Sequence, residues 1–375
     1  MNSIPPFDLT EQYKLIGEEV GAAVLEVLAS GRYIGGSPVE QFEQQFAQFV
    51  GTAHGITCNS GTDALYLALR SLNIGAGDEV ITTPFTFVAT AETVSAVGAT
   101  PVFVDIDAAT FNLNLDQVEA AITDRTKAII PVHLFGQPVD MTRVMEIAQK
   151  HHLSVIEDCA QSTGAEWNGA KVGSIGHVGC FSFFPTKNLG ACGDGGAITT
   201  NDPTIASRVR MLRDHGQCQR YRYEEVGVNS RLDAVQATIL LIKLRYLNQW
   251  NAQRQTIADR YTQLLQPLPG IQSPQTIAGG TSVWNQYTIR VLSKGNLSHE
   301  RDRVRQRLQE QQVSSMIYYP MPLHLQPVYA SLGYQPGQLP VSEQMAQEVL
   351  SLPMFPELSP LQQDQIVYAL KDSLQ

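Results

Sequence analysis

From residue 54 onward, short apolar runs alternate with amphipathic stretches. The runs HGITC (54–58), EVITT (79–83), PVFVDI (101–106), KAIIPVH (127–133), SVIEDC (154–159), GCFSFF (179–184) and GGAITT (195–200) read as strands. The stretches 62–72, 87–98, 115–122 and 140–151, which separate the first five, read as helices. Nearly continuous apolar strands alternating with helices predict a largely parallel sheet covered on both faces. The last two strands follow each other too closely for a crossover helix, so the sheet is expected to be mixed.

Two helices are predicted ahead of this region. One runs from Glu18 to Leu28 and stops at Gly31. The other starts at Ser37-Pro38, with Ser37 as N-cap, and carries Val39, Phe42, Phe46 and Phe49 on one face. The glycine-bracketed loop GRYIGG (31–36) lies between them. Behind the alternating region comes a long helical stretch, about 232–265. A smaller α+β unit follows: strand 284–292, helix 299–311, strand 313–319, helix 341–350 and a terminal helix from about 359. The expected organisation is a large domain, 1–245, and a small C-terminal α+β domain, 246–375, with PLPGIQSPQTIAGG (267–280) as a boundary loop.

Charge and composition narrow the function. The 375 residues carry a net charge of −10, which disfavours a nucleic-acid binder. The five cysteines (Cys58, Cys159, Cys180, Cys192 and Cys218) show no CxxC spacing, so neither a metal site nor a thioredoxin-like motif is expected. The N-terminus has no apolar signal-peptide core, and no run of about 18 apolar residues predicts a membrane span. A cytoplasmic protein is the expectation.

Three segments carry candidate chemistry at the carboxyl ends of predicted strands, where open α/β sheets bind ligands. In NSGTDAL (59–65), Gly61 permits close backbone approach, and Ser60, Thr62 and the first helical N–H groups form a candidate phosphate cradle. Asp158 ends SVIEDC, where a carboxylate either caps a helix or faces a pyridine nitrogen and keeps it protonated. Lys187 sits in CFSFFPTKNLGACGDGG (180–196), a context unlike that of a solvated surface lysine. A buried amine with a lowered pKa forms Schiff bases. Phosphate cradle, ring acid and amine are together the set that pyridoxal 5′-phosphate (PLP) requires.

The ordered motifs NSGTDAL, TPFTFVATAE (83–92), VHLFGQPVDM (132–141), IEDCAQSTGA (156–165), FSFFPTKNLGACGDGGAI (181–198) and VGVNSRLDAVQATIL (226–240) resemble those of nucleotide-sugar aminotransferases, the DegT/DnrJ/StrS family of fold type I PLP enzymes. The resemblance covers essentially the whole chain, including YYPMPLHLQPVY (318–329). It implies an aspartate-aminotransferase-like α/β fold and a homodimer with shared active sites. Lys187 would hold PLP as a Schiff base and then move protons, and Asp158 would pair with the pyridine nitrogen. Gln161 would sit near the phenolic oxygen and Phe87 would stack on the ring. Gly61, Thr62 and Ser182 would hold the phosphate, and Asn229 would reach it from the partner chain.

On the substrate side the resemblance implies Arg231, Tyr318, Tyr319 and His324, a nucleotide-linked keto sugar, and L-glutamate as amino donor. The string NSRLD (229–233) is similar to members aminating C3 of the hexose, and 213–233 to those acting on UDP-2-acetamido-2-deoxy-3-oxo-hexuronate. There Arg231 would grip the sugar carboxylate. Tyr318 stands where that group tends to carry His, which leaves a neutral 6-deoxy 3-keto sugar open. A 4-keto sugar is the alternative. A PLP-dependent sugar dehydratase would carry His in place of Lys187, and a non-catalytic PLP-binding regulator would need a basic face.

Overall fold

The computed structural model describes residues 3–292 and 299–375. Seven strands form the central sheet: β1 (His54–Cys58), β2 (Glu79–Thr82), β3 (Thr100–Phe103), β4 (Thr126–Ile129), β5 (Ser154–Asp158), β6 (Val178–Ser182) and β7 (Gly196–Thr200). Their spatial order is β1-β7-β6-β5-β4-β2-β3. All neighbours are parallel except at β7, which runs antiparallel to both β1 and β6. The sheet is therefore largely parallel but mixed, and the reversal falls where the sequence leaves no room for a crossover.

Alternation along β6 shows how the sheet is buried on both faces. Cys180 enters the core formed with helix α3 (Gly61–Ser71), while the next residue, Phe181, joins Phe42 and Phe46 of helix α2 (Ser37–Val50). Phe46 meets Phe181 and Phe183 edge to face, with ring centroids 5.0 and 5.2 Å apart. Helix α1 (Thr10–Ser30) precedes α2 and ends at Gly31, whose φ of 65° places it in the left-handed region expected of a C-terminal cap. The N-cap of α2 is Gly36 rather than Ser37. The Ser37 hydroxyl instead accepts from the Gln41 side chain at 2.7 Å.

The 232–265 region is two helices, Ala234–Leu244 and Leu247–Leu265, and the second packs Ile257, Tyr261 and Leu265 into a separate core. This core also holds Ile289, Leu350 and Ile366, and Ile4 from the N-terminal segment. Its three-stranded sheet joins Ile271–Gln272, Tyr287–Val291 and Val349–Leu352. Two expectations are corrected here. Residues 313–319 make only isolated bridges, Val313 to Ile4 and Met316 to Ser351. The helix expected over 341–350 ends at Glu348, and its last residues turn into the strand Val349–Leu352. No helix among the described residues is long and apolar enough to cross a membrane.

Candidate active site

The carboxyl ends of β1, β5 and β6 converge on one place. Helix α3 begins directly after β1 with Ser60 as its cap, and the Ser60 hydroxyl accepts from the Asp63 N–H at 3.1 Å. That bond leaves the first N–H groups of the helix pointing outward with its positive dipole end. Gly61 is required for this approach, because a Cβ there would lie 2.7 Å from the Cβ of Ser182. The helix start and the Ser182 hydroxyl thus form one concave polar surface, suited to a phosphate. A bulkier residue at position 61 would fill it.

Asp158 ends β5 and is buried. Its Oδ2 accepts from Thr90 Oγ1 at 2.8 Å and its Oδ1 from the Ala160 N–H at 3.1 Å. Burial pushes its pKa up, while these two bonds and the positive charge of Lys187 pull it down. A carboxylate with two donors and a neighbouring cation can remain charged in a buried place and pair with a cationic ring nitrogen. Behind it, Glu157 accepts from His133 Nε2 at 3.0 Å and from the N–H groups of Gly173, Ile175 and Gly176. His133 Nδ1 accepts from the Val139 N–H, so its proton sits on Nε2. Glu157, His133 and Cys159 lie close enough together to hold a metal. The histidine and carboxylate atoms are nevertheless already committed, and they pin the loop that supports β5.

Lys187 lies on the loop after β6, and burial lowers its amine to a pKa of about 8 against the opposing pull of Asp158. At pH 7 about one such amine in ten is unprotonated, against about one in 3,000 at its ordinary value. The loop is held rigidly. The Lys187 N–H donates to Phe184 O at 2.9 Å, and Ala191 to Phe183 O at 2.8 Å. Asn188 Nδ2 donates to Asn251 Oδ1 and Val283 O, both at 2.8 Å, and Lys243 Nζ to Gly190 O at 2.7 Å. A Cβ at Gly190 would lie 2.2 Å from Pro185 O, so the turn admits only glycine there.

The remaining sequence-predicted residues fall into two sets. Gln161 is buried beside the site, its Oε1 accepting from the Phe135 N–H at 2.6 Å and its Nε2 donating to Tyr319 Oη at 3.3 Å. Tyr319 follows Tyr318 across a cis peptide bond and stacks edge to face on Phe85. Phe87 is 57% exposed on the loop before Thr90. The second set makes other contacts within the chain. Arg231 pairs with Asp214, and Asn229 bridges the same Asp214 on a partly exposed loop. His324 is fully buried and bonds Glu343 at 3.1 Å.

Sequence reasoning missed Thr90, Asn188 and Lys243. Thr90 stood within the quoted TPFTFVATAE motif, and only the fold shows that it faces Asp158, 68 residues away. The other two look like ordinary polar residues in the chain.

The residues fit PLP: a phosphate-sized cradle that a Cβ would fill, a buried acid and an amine of lowered pKa. Comparison with known proteins agrees. The model of the DegT/DnrJ/EryC1/StrS aminotransferase family matches residues 14–371. A Geobacillus stearothermophilus protein named pleiotropic regulatory protein is 49% identical over 97% of both chains. The UDP-N-acetyl-3-dehydro-alpha-D-glucosamine 3-aminotransferase of Acidithiobacillus ferrooxidans is 46% identical over 99% of this chain and 98% of its own. The UDP-2-acetamido-2-deoxy-3-oxo-D-glucuronate aminotransferase of Pseudomonas aeruginosa is 45% identical over 94% and 95%. Among solved structures, S. venezuelae DesV superposes with a TM-score of 0.96 at 43% identity, covering 100% of this chain and 99% of DesV. Bacillus subtilis NtdA, crystallised with the cofactor PMP, gives 0.89 at 31%, covering 100% and 86%.

Proposed function

The chain belongs to the DegT/DnrJ/EryC1/StrS aminotransferase family, and from that premise we propose that it moves an amino group from L-glutamate to C3 of a nucleotide-linked 3-keto hexose, with PLP held on Lys187. The observation that carries this is the meeting of a lysine amine lowered to about 8 with the buried Asp158 beside a glycine-built anion cradle. PLP supplies a carbonyl that takes the amine and a ring that draws off electrons.

The chain's own residues do the rest. With PLP bound, Lys187 would hold it and serve as the base that moves a proton, work that an amine poised near neutrality performs well. Asp158 keeps the ring nitrogen protonated, and Thr90 keeps Asp158 oriented. Gly61, Thr62 and Ser182 would hold the phosphate, Gln161 would sit by the phenolic oxygen and Phe87 would stack on the ring. Both aminotransferases named above act, by their names, at C3 or on a 3-oxo sugar, and the NSRLD string fits that position.

Asn229 and Arg231 are held on Asp214, and by the family resemblance Asn229 would reach the phosphate of a partner protomer, in a homodimer where each protomer completes its neighbour's site. Tyr318 and Tyr319 would contribute from within the chain, and the buried His324 would support the site from inside through Glu343. Three buried free thiols, Cys58, Cys159 and Cys180, fit a reducing cytoplasm. The test is a product assay. The enzyme, PLP and L-glutamate are incubated with a 3-keto and a 4-keto nucleotide sugar, and the amino sugars are assigned by NMR. Amination at C3 supports the reading, and amination at C4 alone overturns the position while leaving the transaminase.

A further inference from the structure

Asp158, at the end of β5, divides the site into two flanks. On one side lie β6 and, past β7, β1, which bring in Ser182 and the start of α3. On the other side lie β4 and β2. The turn after β4 carries Phe135, and the loop after β2 carries Phe85. Gln161 and Tyr319 stand on this second flank. Gln161 is bonded to the Phe135 N–H, and the Tyr319 ring meets Phe85 edge to face, centroids 6.1 Å apart. On a PLP ring the phenolic oxygen and the phosphate arm sit on opposite sides of the carbonyl carbon. A ring with its nitrogen at Asp158, its carbonyl carbon at Lys187 and its phosphate at Gly61 and Ser182 therefore turns its phenolic oxygen toward Gln161 and Tyr319.

The hydrogens on this flank are fixed by the backbone. The Phe135 N–H can only donate, so it takes the Gln161 oxygen, at 2.6 Å, and leaves the amide NH₂ on the Tyr319 side. One hydrogen of that NH₂ goes to Tyr319 Oη at 3.3 Å, and the other has no partner among the described residues. The Tyr319 hydroxyl accepts this bond and donates none of its own among the described residues. Burial pushes the Tyr319 pKa up against the pull of the Gln161 bond, and the charge of Asp158 adds to the rise, so the phenol keeps its hydrogen near neutral pH. Each side chain thus offers one unpartnered hydrogen. The titratable groups acting on this corner are Asp158 and Tyr318, with Lys187 across from Asp158 and the His133–Glu157 pair behind it.

We propose that Gln161 and Tyr319 donate together to the phenolic oxygen of bound PLP, and that Tyr319 thereby sets the acidity of the carbonyl–amine link at Lys187 instead of gripping the sugar. A protonated link nitrogen shares its proton with the phenolic oxygen. Two protein donors draw negative charge from that same oxygen and so loosen the proton. The link then gives up its proton at a lower pH than it would without them. This inference rests on the reading of Lys187, Asp158 and the Gly61–Ser182 cradle as a PLP site.

The test reads the absorbance of the PLP-loaded enzyme against pH, with no substrate present. The band of the link shifts as its nitrogen loses the proton, and the midpoint of that shift is the quantity compared. Tyr319→Phe removes one hydrogen and keeps the ring against Phe85. Its midpoint should rise by about one pH unit, a tenfold tighter hold on the proton, while the PLP-free protein melts as before. Gln161→Met removes the amide hydrogens and should also raise the midpoint, at a melting temperature lowered by the lost Phe135 bond. A midpoint unmoved in Tyr319→Phe, or loss of PLP uptake there, overturns the proposal. If that variant instead raises only the KM for the sugar, Tyr319 is a substrate contact. An unaltered enzyme that takes up PLP without a link band, or takes up none, overturns the PLP reading and the inference with it.

Discussion

Thr90 Oγ1 donates a 2.8 Å hydrogen bond to Asp158 Oδ2, joining the helix after β2 to the end of β5. The same threonine hydroxyl lies 3.0 Å from that of Thr86, so a short chain of hydroxyls leads to the buried acid. Removing the donor leaves a buried carboxylate short of one partner, a loss of roughly 1.5–3 kcal/mol for a bond to a charged group. Thr90→Val should therefore raise the Asp158 pKa further and slow turnover about tenfold or more, while Thr90→Ser restores it. Cofactor affinity should change less than kcat. Equal losses in both would give Thr90 a packing role only.

Asp158→Asn removes the charge and keeps the shape. Turnover should fall far more than PLP retention, because the phosphate cradle at Gly61 and Ser182 still anchors the cofactor. Single-turnover kinetics with L-glutamate and dialysis of bound PLP measure the two separately.

Gly61→Ala tests the cradle itself. The added Cβ would meet the Ser182 Cβ at 2.7 Å, so the start of α3 must move off β6. Overpacking of this kind costs about 1–3 kcal/mol. PLP affinity should fall at least tenfold by fluorescence titration, and the far-UV circular dichroism should be unchanged.

The lowered Lys187 amine has a consequence for the stability of the cofactor-free protein. Its folded pKa, about 8, lies below the ordinary 10.5, so burial disfavours its charged form. Between those values the folded state has released a proton that the unfolded chain retains. Lys187 therefore costs stability below pH 8, and the cost is relieved as pH rises from 8 to 10.5. Lys187→Met should melt higher than the unaltered apoprotein at pH 7, and the gap should narrow toward pH 10.5. A gap that is constant with pH would place the amine in solvent.

Shared sites predict complementation. Lys187→Ala and Asn229→Ala should each be inactive as homodimers. Random reassortment of equal amounts should restore about a quarter of normal activity, since half of the dimers then carry one intact site. No recovery would confine Asn229 to its own chain.

The sheet was legible because its strands are buried on both faces and read as apolar runs bounded by turns. Where burial is shared with helices, the pattern loses its meaning. Val349–Leu352 is fully buried and continues directly from a helix, so its apolar run passes for one more helical turn. Residues 313–319 look like a strand, but among the described residues their backbone bridges only Ile4 and Ser351. The helix Pro203–Leu212 went unread although Asp202-Pro203 is an ordinary helix start. In the site, Lys187, Asp158 and Gln161 stand in distinctive motifs. Thr90, Asn188 and Lys243 act through partners 53 to 97 residues away along the chain, which no local pattern records.

The central claim is that Lys187 holds the cofactor. The PLP-loaded enzyme should be reduced with borohydride, which turns the carbonyl–amine link into a stable secondary amine, then digested and sequenced by mass spectrometry. The account predicts a single phosphopyridoxyl group, on the peptide FSFFPTKNLGACGDGGAI at Lys187, and none in Lys187→Ala. A label on another lysine, or stoichiometric PLP and near-normal turnover in Lys187→Ala, would contradict it.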